Sequence, residues 1–429
     1  MSFTRRNLLK KAVLATIIPG MAPMERSVFG EKPGATKNEK LKIGLIGCGG
    51  RGSGAARQAL SADPDTVLYA VGDLFRDKID LSLENLQKVH AKKVVVNEAH
   101  KFSGFDSFQK VIDSGVDVVL LCTPPHFRPE HLEAAVKAGK HVFCEKPVAV
   151  DAPGVRKVLE AAKSAEEKKL SLLSGFCFRY NFSNRECMKR ILDGQIGEIS
   201  SVFNARLGGI LWSHPRKAEW SEAEYQLRNW IYYTWLSGDM IVEQAVHSID
   251  LMSWAMGGKL PEYAIATGGR EVRTEPIYGN VYDHFAVTYG YENESKGIHF
   301  SRQQSNCYGT NVLEIAGTKG NAFIDVSRGT SVITGQNPWK FSGQVNDMFQ
   351  TEHDEFFASI RSGIPMNDGE WMAHSTLIAI MGRMAAYTGK KVSWEEALNS
   401  RETLGPSEYG FDMKLPEVVV AKPGITAFY

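Results

Sequence analysis

Two short runs hold the side chains best suited to moving a proton. Glu145-Lys146-Pro147 closes an apolar stretch that reads as a strand running into a turn. A lysine at such a strand end can hydrogen-bond a carbinol oxygen and stabilise the alkoxide as hydride leaves. A surface lysine in a proline turn is the competing reading. In Gly238-Asp-Met-Ile-Val-Glu243-Gln-Ala-Val-His247-Ser-Ile-Asp250, Glu243 and His247 stand four residues apart, and Asp250 continues the same face of a helix. A carboxylate that orients an imidazole makes a general base near neutral pH, whereas an isolated histidine is as readily a satisfied structural one.

The elements that must position these groups begin at Leu41-Lys-Ile-Gly-Leu-Ile-Gly47-Cys48-Gly49-Gly50-Arg51-Gly52. Here a strand breaks into the G-x-G-x-x-G spacing that turns a chain tightly, admits a pyrophosphate and packs the next helix close. A second strand, Val67–Gly72, ends in Asp73, about 20 residues beyond the last glycine, where an acid meets a ribose 2′-hydroxyl. The expected cofactor is therefore NAD, with Arg76 leaving an opening for NADP.

Strands expected at Lys93–Val96, Val116–Cys122, Gly139–Pro147 and Leu170–Phe176 alternate with helices at Lys78–His90, Phe105–Ser114 and Ala152–Glu167. This alternation implies an α/β fold with a doubly wound parallel sheet. Ligands bind at the carboxyl ends of such strands, which adds Thr123, Pro124, His126, Glu145 and Lys146 to the cofactor-binding set of Gly47, Cys48, Gly49, Gly50, Arg51, Gly52 and Asp73. Beyond residue 178, alternating aromatic-rich segments (199–207, 264–272, 283–291, 297–303, 311–316 and 321–324) suit an open, mainly antiparallel sheet. Helices near Asp347–Ser362 and Trp371–Thr388 follow. The expected division is a dinucleotide-binding domain over 41–176, a substrate and oligomerisation domain over 177–400 and a tail over 401–429.

With 43% hydrophobic and 23% charged residues and a net charge of +1, the chain of 429 residues can build a sizeable core. It has no basic stripe for nucleic acid or membrane surfaces. The six cysteines show no C-x-x-C spacing and read as small buried residues, not as a metal site or disulfide framework. Thr4-Arg5-Arg6-Asn-Leu-Leu-Lys10, followed by the short apolar run Ala12–Ile18, reads as a twin-arginine signal peptide over 1–30. A basic, frayed terminus is the alternative. The leader implies export to the periplasm through the twin-arginine translocase, already folded and carrying its cofactor.

Together the glycine turn, Ala138-Gly-Lys-His-Val-Phe-Cys-Glu-Lys-Pro147 and the Glu243/His247 pair resemble the Gfo/Idh/MocA family, which includes glucose–fructose oxidoreductase and inositol dehydrogenase. The resemblance implies a Rossmann domain followed by an α/β domain whose open sheet mediates homo-oligomerisation. It also implies Lys146 and His247 as the catalytic pair, with Glu243 as their orienting acid. Many members carry Asp at position 243. The Thr123–His131 run instead resembles exported members, which implies glycoside substrates and oxidation of a ring hydroxyl, with C3 the candidate carbon.

For the substrate, Arg179, Tyr180, Arg228, Trp230, Tyr282, Asp283, His284 and Arg302 supply aromatic faces and fixed polar groups that suit a sugar ring, although each also fits a structural role. Two other functions share these features. One is an NAD-dependent glycosidase of the α-N-acetylgalactosaminidase type, which the Lys146 of Glu-Lys-Pro argues against. The other is a non-catalytic sugar-binding protein, which the intact Lys146, Glu243 and His247 argue against.

Overall fold

Near-continuous apolar runs at 41–46 and 118–121 place strands in the middle of a sheet covered on both faces. A computed structural model describes residues 40–427, so the expected leader lies outside the described residues. The first sheet comprises β1 (Leu41–Ile46), β2 (Thr66–Asp73), β3 (Lys101–Ser103), β4 (Val118–Leu121), β5 (His141–Cys144) and β6 (Leu172–Ser174). Its order is β3-β2-β1-β4-β5-β6, and every pair is parallel. Ile43, Leu45, Val118 and Leu120 face one core, while Ile46, Val119 and Leu121 face the other.

The third strand corrects the sequence reading. Lys93–Val96 contributes only an isolated bridge between Val94 and Leu68, and β3 forms at Lys101–Ser103. Three of the four side chains at 93–96 are only partly buried and one is exposed, so there is no covered face to hold them in a ladder.

The second sheet has nine strands: β7 (Ile199–Gly208), β8 (Tyr263–Gly269), β9 (His284–Gly290), β10 (Lys296–Gln303), β11 (Thr310–Gly317), β12 (Gly320–Asp325), β13 (Thr330–Gly335), β14 (Trp339–Lys340) and β15 (Val392–Ser393). The order is β14-β13-β12-β11-β7-β10-β9-β8-β15, antiparallel except for the β7/β10 pair. Helices Val246–Ala255 and Gly369–Thr388 pack on one face. The other face carries Ile265, Phe300 and Phe323 exposed.

The helix Met348–Ser362, capped by Asp347, returns to the first sheet, where Phe356, Phe357 and Ile360 join the core of Ile43 and Leu45. The first domain thus draws on residues far beyond its expected limit at 176. The described residues 401–427 run without helix or strand, yet they are anchored: Arg383 pairs with Glu402, Asp151 accepts from the Leu404 amide, and Ala421 accepts from the Tyr282 hydroxyl.

Candidate active site

The strand order reverses between β1 and β4, which opens a crevice beyond their carboxyl ends. Gly47 holds φ at +96°, and a Cβ there would lie 2.6 Å from the Cys122 carbonyl carbon. A Cβ on Gly52 would overlap the Gly47 carbonyl oxygen. Gly49 and Gly50 differ, because a Cβ on either would meet nothing within 4 Å. These two positions open onto a cleft of about 560 Å³ at the start of helix Gly50–Ala62, whose first turn carries no acid. Free amides and an empty approach at a helix start suit a pyrophosphate, so the residues present fit a dinucleotide.

From the turn the cleft passes Asp73, Phe75, Lys78, Phe105, Thr123 and Pro124, then Leu211, Trp212, His214, Arg228, Trp230 and Ile231, and reaches Glu243 and Gln244. Asp73 accepts from the amides of Cys48 at 2.7 Å and Phe75 at 2.9 Å. Burial still pushes its pKa up, and those two bonds oppose the shift. Arg76 turns away to Asp80 and Glu98. Cys48 is buried with its thiol on the Gly72 carbonyl. Arg51 reaches back from the turn to Glu145 at 2.7 Å, so Glu145 braces the glycine turn from β5.

At the far end, the Lys146 ammonium donates to the Glu243 carbonyl at 2.7 Å and to its carboxylate at 3.1 Å. The other Glu243 oxygen takes the Gln244 side-chain amide. Glu243 therefore holds the lysine. The expected carboxylate–imidazole pair does not form: the His247 Nδ1 is buried without a partner among the described residues. The cause is local, since the helix stops at Glu243 and restarts at Val246. His247 lies between Phe176 and Phe178, with ring centroids 5.8 and 4.7 Å away. Burial, joined by the charges of Lys146, Arg206 and Arg51, holds its pKa well below the ordinary histidine value, so the ring is a neutral base.

Several other candidates are committed elsewhere. Asp250, expected beside His247, forms a bidentate pair with Arg179, which stacks on Trp371 at 3.9 Å. Tyr180 is buried on Asp368. Tyr282 is also buried, and Asp283 accepts the amides of 271, 272 and 273 and pairs with His284, so this trio shapes a loop away from the cleft. Arg302 donates to the Tyr308 carbonyl.

Arg228 and Trp230 do line the cleft, but Arg228 lies over Phe75 at 3.8 Å and pairs with Asp77 and Glu224, on the dinucleotide side. His126, expected at the cofactor, packs edge-on to Trp235 and hydrogen-bonds Tyr409 of the tail at 2.8 Å. Beside it, Tyr409 stacks on Phe105, and Phe411 lies against both Phe75 and Phe105. The tail therefore backs two aromatic walls of the cleft.

The sequence reading missed Leu211, Trp212, His214 and Gln244, which lie on irregular segments with no periodicity to mark them.

A family model for the NAD-binding Rossmann domain of the GFO/IDH/MocA oxidoreductases matches residues 41–173, and a model for a C-terminal domain of the same family matches residues 185–323. Between them they span more than half of the chain, which belongs to this oxidoreductase family. Myo-inositol 2-dehydrogenase of Thermotoga maritima is 24% identical over 368 residues, covering 83% of this chain and all of the relative. A glycosyl hydrolase family 109 protein of Solibacter usitatus is 29% identical over 238 residues, 53% of this chain and 51% of that protein. Among solved structures, aldose-aldose oxidoreductase of Caulobacter crescentus, in complex with glycerol, superposes with a TM-score of 0.65 at 20% identity, covering 83% of this chain and all of that one.

Proposed function

We propose that the protein is an NAD-dependent dehydrogenase that oxidises a ring hydroxyl of a sugar or glycoside, with C3 the candidate carbon. The observation that carries this reading is the bond from Lys146 to Glu243, which stands at the end of a cleft that starts on the glycine turn, with the neutral His247 under the charge of that lysine. When bound, NAD supplies the hydride acceptor. The chain supplies the rest: the His247 imidazole takes the hydroxyl proton, the Lys146 ammonium stabilises the developing alkoxide, and Glu243 keeps that ammonium aimed. Asp73 and the outward turn of Arg76 support NAD over NADP.

The anchored tail behind Phe75 and Phe105 supports a cofactor that stays bound through turnover, the hydride then returning to a second substrate such as a keto-sugar. Such retention suits periplasmic work after export by the twin-arginine route. The exposed Ile265, Phe300 and Phe323 on the open sheet support a homo-oligomer.

The similarity to the Solibacter usitatus protein supports one other reading, a glycosidase that oxidises its substrate transiently. One experiment separates the two. Purified protein is incubated with a panel of glycosides and the products are resolved by mass spectrometry. Keto-glycosides support the dehydrogenase; free sugar with an intact aglycone overturns it in favour of hydrolysis. Nucleotide in the supernatant of the denatured protein is expected in both cases. Its absence, together with no affinity for added NAD, overturns both.

A further inference from the structure

On β7 the side chains of Val202, Asn204 and Arg206 share the helix-covered face, while Phe203 and Leu207 point to the open one. In register, Arg206 stands between Asn311 of β11 and Ser301 of β10, both nearly fully buried. Asn311 accepts a hydrogen bond at 3.0 Å from Ser248, the residue after His247. The polar row Asn311–Arg206–Ser301 therefore lies beneath the helix turn that carries the base. The Arg206 charge reaches both Glu243 and His247.

The fully buried arginines are all tied down: Arg128 to the Pro147 carbonyl, Arg273 to Gln303, and Arg383 to Val150 and Glu402. Arg206 makes no hydrogen bond or ion pair among the described residues. The acid it faces, Glu243, already has one oxygen on Lys146 and the other on Gln244. Next to it, the buried Ser301 hydroxyl also lacks a partner. A half-buried cation without a counter-charge is costly, and so is a buried hydroxyl without a bond. Both costs are removed by a ligand that brings a carboxylate, whose two oxygens match the guanidinium fork while a hydroxyl donates alongside.

We propose that Arg206, with Ser301, is a specificity-determining site for the carboxylate of a sugar acid, so that the preferred substrates are uronates or their glycosides and not neutral hexoses. This rests on the dehydrogenase reading above, which it narrows.

The test uses the full chain loaded with NAD. Glucuronate, galacturonate and mannuronate are each compared with the matching neutral hexose, by calorimetric titration and by NADH absorbance, for the native protein, Arg206→Gln, Arg206→Lys and Ser301→Ala. At least one uronate is expected to bind about 10- to 100-fold more tightly than its hexose, the ratio that one charge-assisted hydrogen-bonded contact gives. Arg206→Gln should abolish that preference, Arg206→Lys should recover part of it through charge without the fork, and Ser301→Ala should weaken it less.

The proposal is overturned if no uronate outcompetes its hexose, or if Arg206→Gln, folded by its thermal midpoint, keeps the preference. Should Arg206→Gln not fold, an unchanged preference in Arg206→Lys together with Ser301→Ala overturns it equally. NADH formed from neutral sugars with no uronate preference removes this proposal and leaves the dehydrogenase. Arg206-dependent uronate binding without any NADH or keto-product removes the dehydrogenase and leaves the carboxylate site.

Discussion

The two ends of the cleft are built in opposite ways. At the glycine turn three side chains are already paired: Asp73 accepts two amides, Arg51 has Glu145, and the Cys48 thiol has the Gly72 carbonyl. What remains open is backbone, at Gly49 and Gly50. At the other end, side chains are left wanting. His247 Nδ1, Ser301 Oγ and the Arg206 guanidinium have no partner among the described residues, while the Lys146 ammonium is held by Glu243 alone, through its carbonyl and its carboxylate. A surface of fixed amides suits a ligand that stays. A surface of orphaned side chains suits one that arrives, reacts and leaves, because each orphan gains a partner only while the ligand is present.

The sharpest way to break this contrast is to remove the reacting groups. Lys146→Ala and His247→Ala should each lower turnover by about 10²- to 10⁴-fold, while nucleotide released on denaturation stays at the native level. Near-full turnover in His247→Ala would mean that the orphaned ring is structural. Gly52→Val inverts the experiment. It should strip the nucleotide, since even a Cβ there overlaps the Gly47 carbonyl. A variant that still co-purifies with stoichiometric nucleotide would contradict the reading of the turn.

Glu243→Gln should cost less than loss of Lys146, because the Glu243 carbonyl still holds the ammonium. The drop should fall on kcat and spare KM, as steady-state kinetics would show. Smaller again is the effect of the tail. Phe411→Ala loosens the backing of Phe75 and Phe105 and should speed NAD release several-fold, read by stopped-flow fluorescence, with the chemical step in a single turnover unaltered.

The least conspicuous effect is in the pH profile. Because His247 is held well below 6.5 by burial and by Lys146, Arg206 and Arg51, its ring stays neutral as pH falls through 6.5. The acid limb of kcat/KM should therefore lie below pH 6.5. Arg206→Gln removes one of those cations, raises the ring's affinity for protons and should move the limb upward. A limb at 6.5 that does not move would place His247 in water.

The parts that were legible in the sequence share a physical basis. Gly47, Gly49 and Gly52 lie on one continuous turn whose steric demands are local, and the strands at 199–208, 284–290 and 296–303 have one covered face that writes itself as alternation. Short edge strands such as β14 and β15 carry too few residues to show a period. The Glu243/His247 spacing was seen but misread, because spacing reports a shared face only while the helix is continuous, and here it is interrupted at Gln244 and Ala245.

The sequence by itself thus determined the dinucleotide turn and the parallel sheet behind it, because each follows from residues that are neighbours along the chain. Only the tertiary structure decided that Glu243 serves Lys146, that Arg179 and Tyr180 are spent on Asp250 and Asp368, and that Arg206 is left without a partner among the described residues. Those outcomes depend on which buried charge finds which partner across long loops. That choice is made by desolvation once the two sheets and their helices have closed, and no local pattern records it.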